Sequence, residues 1–132
     1  MNLKFDSKAR LQHLGSIRHA KSAAARDVGD RAIEIRDRLQ RAESRKRQLE
    51  REFHPRDVKD ALKEVDAEIE TLEAELTNAE ARRAEAGEAF QAAARTHENA
   101  RSYAAEHGLP MPAEDAAEVR GINWPHAGTG GV

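Results

Sequence analysis

FHPRDV, residues 53–58, divides the chain into two long proline-free stretches. Pro55 fixes its own φ, lacks an N–H donor and pushes His54 out of the helical region. No proline precedes Pro55, and the next one, Pro110, follows Gly108 in a pattern that stops helices. The sequence therefore predicts two helices and a turn, which span residues 7–53, 57–107 and 54–56.

Residues that can fill an apolar core are scarce in this chain. Leu, Ile, Val and Phe make up 22 of the 132 residues, about 17%, which is too little for a well-filled globular core. Ala, Glu, Lys, Leu and Arg together account for 72 residues, a bias typical of long helices and coiled coils. We therefore expect an all-α protein with long helices.

Both long stretches carry apolar residues at alternating steps of three and four, the signature of a coiled-coil seam. The step from Phe53 to Val58 is five, so the phase breaks at the proline, and a turn there lets the two stripes face each other. If the chain folds back at this turn, Leu39 meets Leu72. The predicted seam contains Ile35, Leu39, Leu49, Phe53, Leu62, Val65, Ile69, Leu72, Leu76 and Phe90.

The charges of the two stretches support the same pairing. Residues 7–53 hold 13 basic and 7 acidic side chains, whereas residues 57–107 hold 6 basic and 13 acidic ones. Opposite charges favour pairing between the two helices and disfavour parallel pairing of either helix with its own copy. The sequence thus predicts a long antiparallel two-helix coiled-coil hairpin. The main alternative is a long kinked helix that oligomerises.

The two ends of the chain are predicted to lie outside the hairpin. Residues 1–6 form an N-terminal lead, in which Asp6 is well placed, as is Ser7, to cap the first helix. Residues 108–132 are predicted to form an extended, mostly irregular C-terminal arm with one short helix near residues 112–119.

The C-terminal arm has the composition of a docking segment. Glycines on both sides of Trp124 allow the backbone to follow another surface, and Pro125 restricts Trp124 to extended geometry. Tryptophan is enriched among the residues that anchor interfaces. We therefore expect contacts with neighbouring subunits through Leu3, Phe5, Ile17, Ile122, Trp124 and Pro125.

Sequence signals of catalysis or ligand binding are missing. The chain has no cysteine, and its six histidines form neither a His-x₃-His pair nor an HExxH pattern. No glycine-rich loop precedes a helix to cradle a phosphate, and no strand–turn–helix elbow exists for a nucleophilic serine. We therefore expect no enzyme, no catalytic, cofactor-binding or metal-binding residue, and no small-molecule substrate.

Nucleic acid and membrane are also unfavoured as partners. A basic run over residues 36–51 is interrupted by acidic residues and has no interleaved aromatic residue, so we expect no specific nucleic-acid binding. No apolar run reaches the roughly 20 residues of a membrane span, and the N-terminus lacks the apolar stretch of a signal peptide. The expected location is the cytoplasm, or a virion.

The function that this pattern favours is that of a structural or interaction subunit in a large multi-copy assembly. In general form the predicted hairpin is similar to the small coiled-coil proteins of bacteriophage particles. That resemblance implies a minor virion structural protein whose hairpin is a strut and whose partners are copies of itself and a larger scaffold. Two alternatives remain: a prefoldin-like chaperone or adaptor hairpin, and a nucleic-acid-binding coiled-coil regulator.

Overall fold

The computed structural model describes residues 6–120, and all regular structure in that range is helical. Three α-helices and one short 3-10 helix follow one another along the chain. Their bounds are Ser7–Glu52 for α1, Pro55–Asp57 for the 3-10 helix, Lys59–Glu106 for α2 and Ala113–Arg120 for α3. The two long helices pack against each other, and the predicted all-α class is confirmed.

α1 begins where the sequence offers a capping side chain. The Ala9 amide donates a hydrogen bond to Asp6 Oδ1 at 3.0 Å, and the Arg10 amide donates to the Asp6 carbonyl at the same distance. The carboxylate thus satisfies one of the amides that a helix start leaves without a partner. Of the two capping residues that the sequence suggests, the structure uses Asp6.

The connection between α1 and α2 is a compact turn built on His54 and Pro55. His54 is extended, with φ −69° and ψ 136°, as expected for a residue before proline. Its Nδ1 accepts a hydrogen bond from the Arg56 amide at 3.3 Å, and its carbonyl accepts one from the Asp57 amide at 2.9 Å. These bonds close the turn, and α2 begins at Lys59 rather than at residue 57.

Phe53 lies outside the seam in which the sequence placed it. α1 ends at Glu52 and α2 begins at Lys59, so no helical turn faces Phe53, and 51% of its surface is exposed. The cause is Pro55, which holds His54 in extended geometry and ends α1 before Phe53 can enter the seam.

α2 ends in a Schellman motif. Gly108 has φ 61°, a left-handed conformation that glycine adopts without a steric penalty. The Leu109 amide donates to the Ala104 carbonyl at 2.8 Å, and the Gly108 amide donates to the Ala105 carbonyl at 3.4 Å. Leu109 also packs against the buried cluster that contains Ala104. The predicted stop signal at Gly108 therefore acts through a defined pair of backbone bonds.

The chain divides into two compact units, each with a core of its own. The turn unit is Ala24–Gly87 and contains the connection between the long helices. The terminal unit is Met1–Ala23 with Glu88–Val132, of which residues 6–23 and 88–120 are described.

The core of the turn unit consists of aliphatic residues at the predicted spacing of three and four. Its buried and half-buried members come from both long helices. They are Ala32, Ile35, Leu39 and Ala42 on α1 with Val65, Ile69, Leu72, Leu76 and Ala79 on α2. The stripes that the sequence assigned to the seam thus face each other in this unit.

Ion pairs show that the two helices of the turn unit run in opposite directions. The α1 cations and their α2 partners are Arg36 with Glu80, Arg45 with Glu68 at 2.5 Å, and Lys46 with Asp66 at 2.7 Å. The number of the α2 partner falls as the α1 number rises, which is the antiparallel order. These side chains are partly exposed, so each pair contributes little stability but helps to fix the register.

The terminal unit has a smaller core, to which the segment after α2 is added. Leu11, Ala100 and Ala104 are buried there. Alanine buries little area, so the two long helices alone leave space in this core. Leu109 and Met111 pack into that core, together with Leu14 of α1.

Residues 109–120, which the sequence places in an extended, mostly irregular arm, pack within their own chain instead. Pro112 is less than 2% exposed, and Asp115 on α3 is 4% exposed. The segment packs within its own chain because the alanine-lined seam leaves an apolar surface that Leu109, Met111 and Pro112 cover. The short helix predicted near residues 112–119 is present as α3.

Among the helices of residues 6–120, none combines the length and the apolar character that crossing a membrane requires.

Candidate functional site

The most unusual feature of the terminal unit is a cluster of buried ionisable side chains. His97 and Arg101 lie four residues apart on α2 and therefore share one helix face. Asp115 lies in the first turn of α3, where the helix dipole favours a carboxylate. These three residues are only 6%, 8% and 4% exposed, whereas the charged groups of the turn unit lie at its surface. The cluster is the candidate functional site.

Asp115 is the centre of this cluster. Its Oδ1 lies 3.1 Å from His97 Nε2 and 3.7 Å from Arg101 Nη1. Arg101 also pairs with Glu118, one turn further along α3. Two side chains of α2 are thereby tied to two carboxylates of α3, which satisfies charges that would be costly to bury alone.

α1 joins the cluster through Arg18. Its Nη1 lies 3.4 Å from His97 Nδ1, and its Nη2 pairs with Glu98 at 3.5 Å. A guanidinium can only donate, so His97 Nδ1 is the acceptor in this contact. His97 Nε2 lies beside Asp115 but has no hydrogen-bond partner.

His97 lies beside Gly15 of α1. A Cβ built on Gly15 would lie 3.5 Å from His97 Nε2, which is ordinary van der Waals contact. The edge of the imidazole thus rests against the one position of that helix turn that has no side chain. His97 is thus flanked by Gly15 and Arg18 of α1 and by Asp115 of α3.

This geometry does not offer His97 as a general base. Ser16 lines the same groove as His97, Asp115 and Glu118. A serine nucleophile needs a ring nitrogen directed at its hydroxyl. Here Nδ1 faces Arg18 and Nε2 faces Asp115, so neither nitrogen is directed at Ser16. The arrangement is suited to joining three helices rather than to proton transfer.

A metal site is not formed by the described residues either. Within residues 6–120 no group of three or more His, Asp or Glu side chains is arranged to hold a metal ion. At the cluster itself, Arg18 and Arg101 bring two guanidinium groups to the histidine and the carboxylate. Two fixed positive charges at that position oppose the binding of a cation.

The predicted seam residues take different positions. Ile35, Val65 and Leu72 are buried, and Phe53 is exposed. The others are half-buried: Leu39, Leu49, Leu62, Ile69, Leu76 and Phe90. Half-burial follows from the architecture, because a pair of helices covers each seam residue from one side only.

The predicted interface residues are mostly beyond the described range. Leu3 and Phe5 precede it, and Ile122, Trp124 and Pro125 follow it. Ile17 is described and is half-buried in the terminal unit. Docking through these residues stays a prediction.

The buried cluster is not predicted by the sequence. His97 appears there as one polar residue on an alanine-rich stripe, without the spacing of a metal-binding or catalytic histidine. A usable signal was present: His97 and Arg101 share one helix face, and a short acidic helix follows a helix stop at Gly108. Because Asp115 is close in sequence to neither, only the position of α3 shows the pairing.

Comparison with known proteins gives no relative: no family model, curated protein or solved structure matches the chain.

Proposed function

We propose that this chain is a non-enzymatic structural or interaction subunit of a multi-copy protein assembly. In this proposal α1 and α2 form a long coiled-coil hairpin that acts as a strut, and the C-terminal residues dock on neighbouring subunits. A bacteriophage particle is the assembly that the hairpin architecture and the Ala- and Arg-rich composition favour. Partners are then further copies of the chain and a larger scaffold.

The observation that carries this proposal is the incomplete cover of the turn-unit seam. Leu39, Ile69 and Leu76 pack against the buried cluster but are themselves only half-buried. A two-layer helix pair has no third layer to cover them, and a neighbouring subunit would supply one. Ile33, on the outer side of α1, is 49% exposed and adds apolar surface away from the seam.

The charges of the basic run support a structural role over nucleic-acid binding. Arg36, Arg45 and Lys46 pair with acids of α2, and Arg38 pairs with Glu34 on its own helix. Cations that are already paired release fewer counterions from a phosphate backbone, so they add less to nucleic-acid affinity. The run is better explained as the flank of a helix pair.

The experiment that tests the proposal is purification of the tagged chain from its native source. The mass of the isolated species and the copy number of the chain are then measured by light scattering and quantitative mass spectrometry. We expect a species that contains several copies of the chain together with at least one larger protein. Recovery of the chain alone as a monomer would contradict the proposal.

A second candidate, a chaperone or adaptor hairpin, is favoured by one observation. Phe53 is 51% exposed at the turn, where a client-binding tip would carry an apolar side chain. The test is suppression of client aggregation by the wild-type chain and by Phe53→Ser, with the exposed Ile33→Ser as the control. Suppression that is lost only in Phe53→Ser would favour the chaperone function.

A further inference from the structure

The terminal unit contains a docking surface and a segment that packs on it, and a short connector joins the two. The surface, here called the α3-docking face, is formed by Leu11 and Leu14 of α1 with His97, Ala100, Arg101 and Ala104 of α2. The segment that packs on it is residues 109–120. Its apolar anchors are Leu109, Met111 and Pro112, and its charged groups are Asp115 and Glu118.

We propose that the α3-docking face also accepts residues 109–120 of a second copy of the chain, so that exchange of this segment links neighbouring subunits. This inference rests on the proposed function, since exchange needs copies that are held close together. The α3-docking face would then be the surface through which one copy holds the next.

Recognition between the two surfaces is complementary in charge and in shape. The face presents Arg101 and His97, and the segment presents Asp115 and Glu118. An apolar patch lies beside the charges on both sides. A second copy carries the same segment and would make the same contacts, so exchange costs no interface energy.

Residues 109–120 are suited to exchange because they have little structure of their own when they are not docked on the α3-docking face. α3 has eight residues, well below the length at which an isolated helix is stable in water. It therefore forms together with docking, whichever copy supplies the face. Docking within the chain wins in dilute solution, and docking between chains gains as the local concentration of copies rises.

The connector between α2 and α3 determines whether the segment docks within its own chain or on a neighbouring copy. To return to its own chain the segment needs the reversal at Gly108, whose φ of 61° is strained for any residue with a Cβ. An exchanged segment needs no such reversal. The five residues 108–112 span at most about 17 Å when extended, which confines exchange to copies in direct contact.

Gly108→Val tests the connector without changing either docking surface. Valine opposes the reversal, so we expect the fraction of dimer, measured by light scattering after size exclusion, to rise about tenfold over wild type. Gly87→Val is the matched control, because Gly87 lies within α2 and has no neighbour within 4 Å of a built Cβ. A purely monomeric Gly108→Val chain at all concentrations would contradict the proposal.

Charge reversal tests the docking surfaces themselves. Arg101→Glu and Glu118→Arg each place like charges in contact within one chain, but a mixture of the two chains restores opposite charges in the exchanged dimer. We expect monomers from each variant alone and a 1:1 heterodimer, at twice the 14.7 kDa of one chain, from the mixture. The double variant within one chain should remain monomeric, since it restores the pair in place.

Hydrogen exchange shows whether residues 109–120 are docked in the species that the mixture forms. A heterodimer in which the segment is protected supports exchange. A mixture that contains only monomers overturns it, whether the segment is protected or not. These measurements use the purified chain, so they test segment exchange separately from the proposed function. If the chain belongs to a multi-copy particle but shows no exchange, only the exchange proposal is contradicted. If the chain exchanges its segment but purifies alone from its source, only the proposed assembly is contradicted.

Discussion

The turn unit and the terminal unit use the same two helices, but they are held together by different contacts. In the turn unit, Ile35 and Leu72 are buried in an aliphatic seam, and the ion pairs lie at its surface. In the terminal unit α2 contributes only Ala100 and Ala104 to the apolar core, and charged side chains such as Arg101 and Asp115 are buried. The difference teaches that, where α2 offers only alanine to the core, the segment after α2 fills the remaining space and brings charged groups into the interior.

The same kind of interaction therefore has different consequences in the two units. An exposed pair such as Arg45–Glu68 contributes about 0–1 kcal/mol, because water and salt screen both charges. A buried charge that loses its partner has no water to replace it, and the loss typically amounts to several kcal/mol. Removing one partner of an ion pair should therefore cost more unfolding free energy in the terminal unit than in the turn unit.

The largest effect is expected in the seam of the turn unit. Leu72→Ala removes a buried side chain and leaves a cavity between the helices, so the free energy of unfolding should fall by about 2–4 kcal/mol. Urea denaturation followed by circular dichroism measures the change. Ile33→Ala, at a half-exposed position off the seam, is the control and should cost less than about 0.5 kcal/mol. Equal losses would mean that the seam is not the core.

The next effect is expected in the buried cluster of the terminal unit. Arg101→Met leaves Asp115 and Glu118 without their cation, and we expect a loss of about 2 kcal/mol, because α3 can undock and return the carboxylates to water. The same denaturation measurement applies. Arg45→Met removes a cation from an exposed pair and should cost at most about 0.5 kcal/mol. If both variants behave alike, burial does not distinguish the units.

The turn unit could be predicted from the sequence more fully than the terminal unit. The 3-4 spacing of Leu, Ile and Val is a local property, and Pro55 marks the turn that brings the stripes together, so the pairing of α1 with α2 follows. Phe53 was placed wrongly because the spacing does not tell how early the extended His54 ends α1.

The terminal unit depends on a contact that no local pattern encodes. Gly108 predicts that α2 stops, and the acids after Pro112 predict a short helix, but neither gives the direction in which the chain continues. The return of α3 is decided by the fit of Leu109 and Met111 to an alanine-lined surface, and by charges of α2 and α3 that lie far from each other in sequence.

Two glycines offer a smaller effect of opposite sign in the two units. Gly87→Ala should stabilise the protein by about 1 kcal/mol, because Gly87 lies within α2 and a Cβ there meets nothing within 4 Å. Gly108→Ala should destabilise it by about 1 kcal/mol, because φ is 61° at that position. Thermal unfolding of the two variants gives shifts of opposite direction if the Schellman motif is correct, and of the same direction if it is not.

The smallest effect concerns the exposed pair of Lys46 with Asp66. The Asp66 carboxylate accepts a hydrogen bond from Lys46 and attracts its charge, and both raise the pKa of Lys46 above its ordinary 10.5. A raised pKa stabilises the folded state fully below pH 10.5, and this contribution is lost as the pH rises through the raised value. The difference in unfolding free energy between wild type and Lys46→Met should therefore shrink above pH 10.5. Lys63→Met is the control, and an equal pH dependence in both variants would contradict the pairing.

Hydrogen–deuterium exchange on the 132-residue chain tests the contrast between the two units most directly. The wild-type chain is compared with Leu72→Ala and Arg101→Met, and amide protection is followed across residues 6–120. The contrast predicts that Leu72→Ala speeds exchange mainly over the turn unit, Ala24–Gly87, and that Arg101→Met speeds it mainly over residues 109–120. Faster exchange over the same residues in both variants would contradict a terminal unit that is held by its own buried charges.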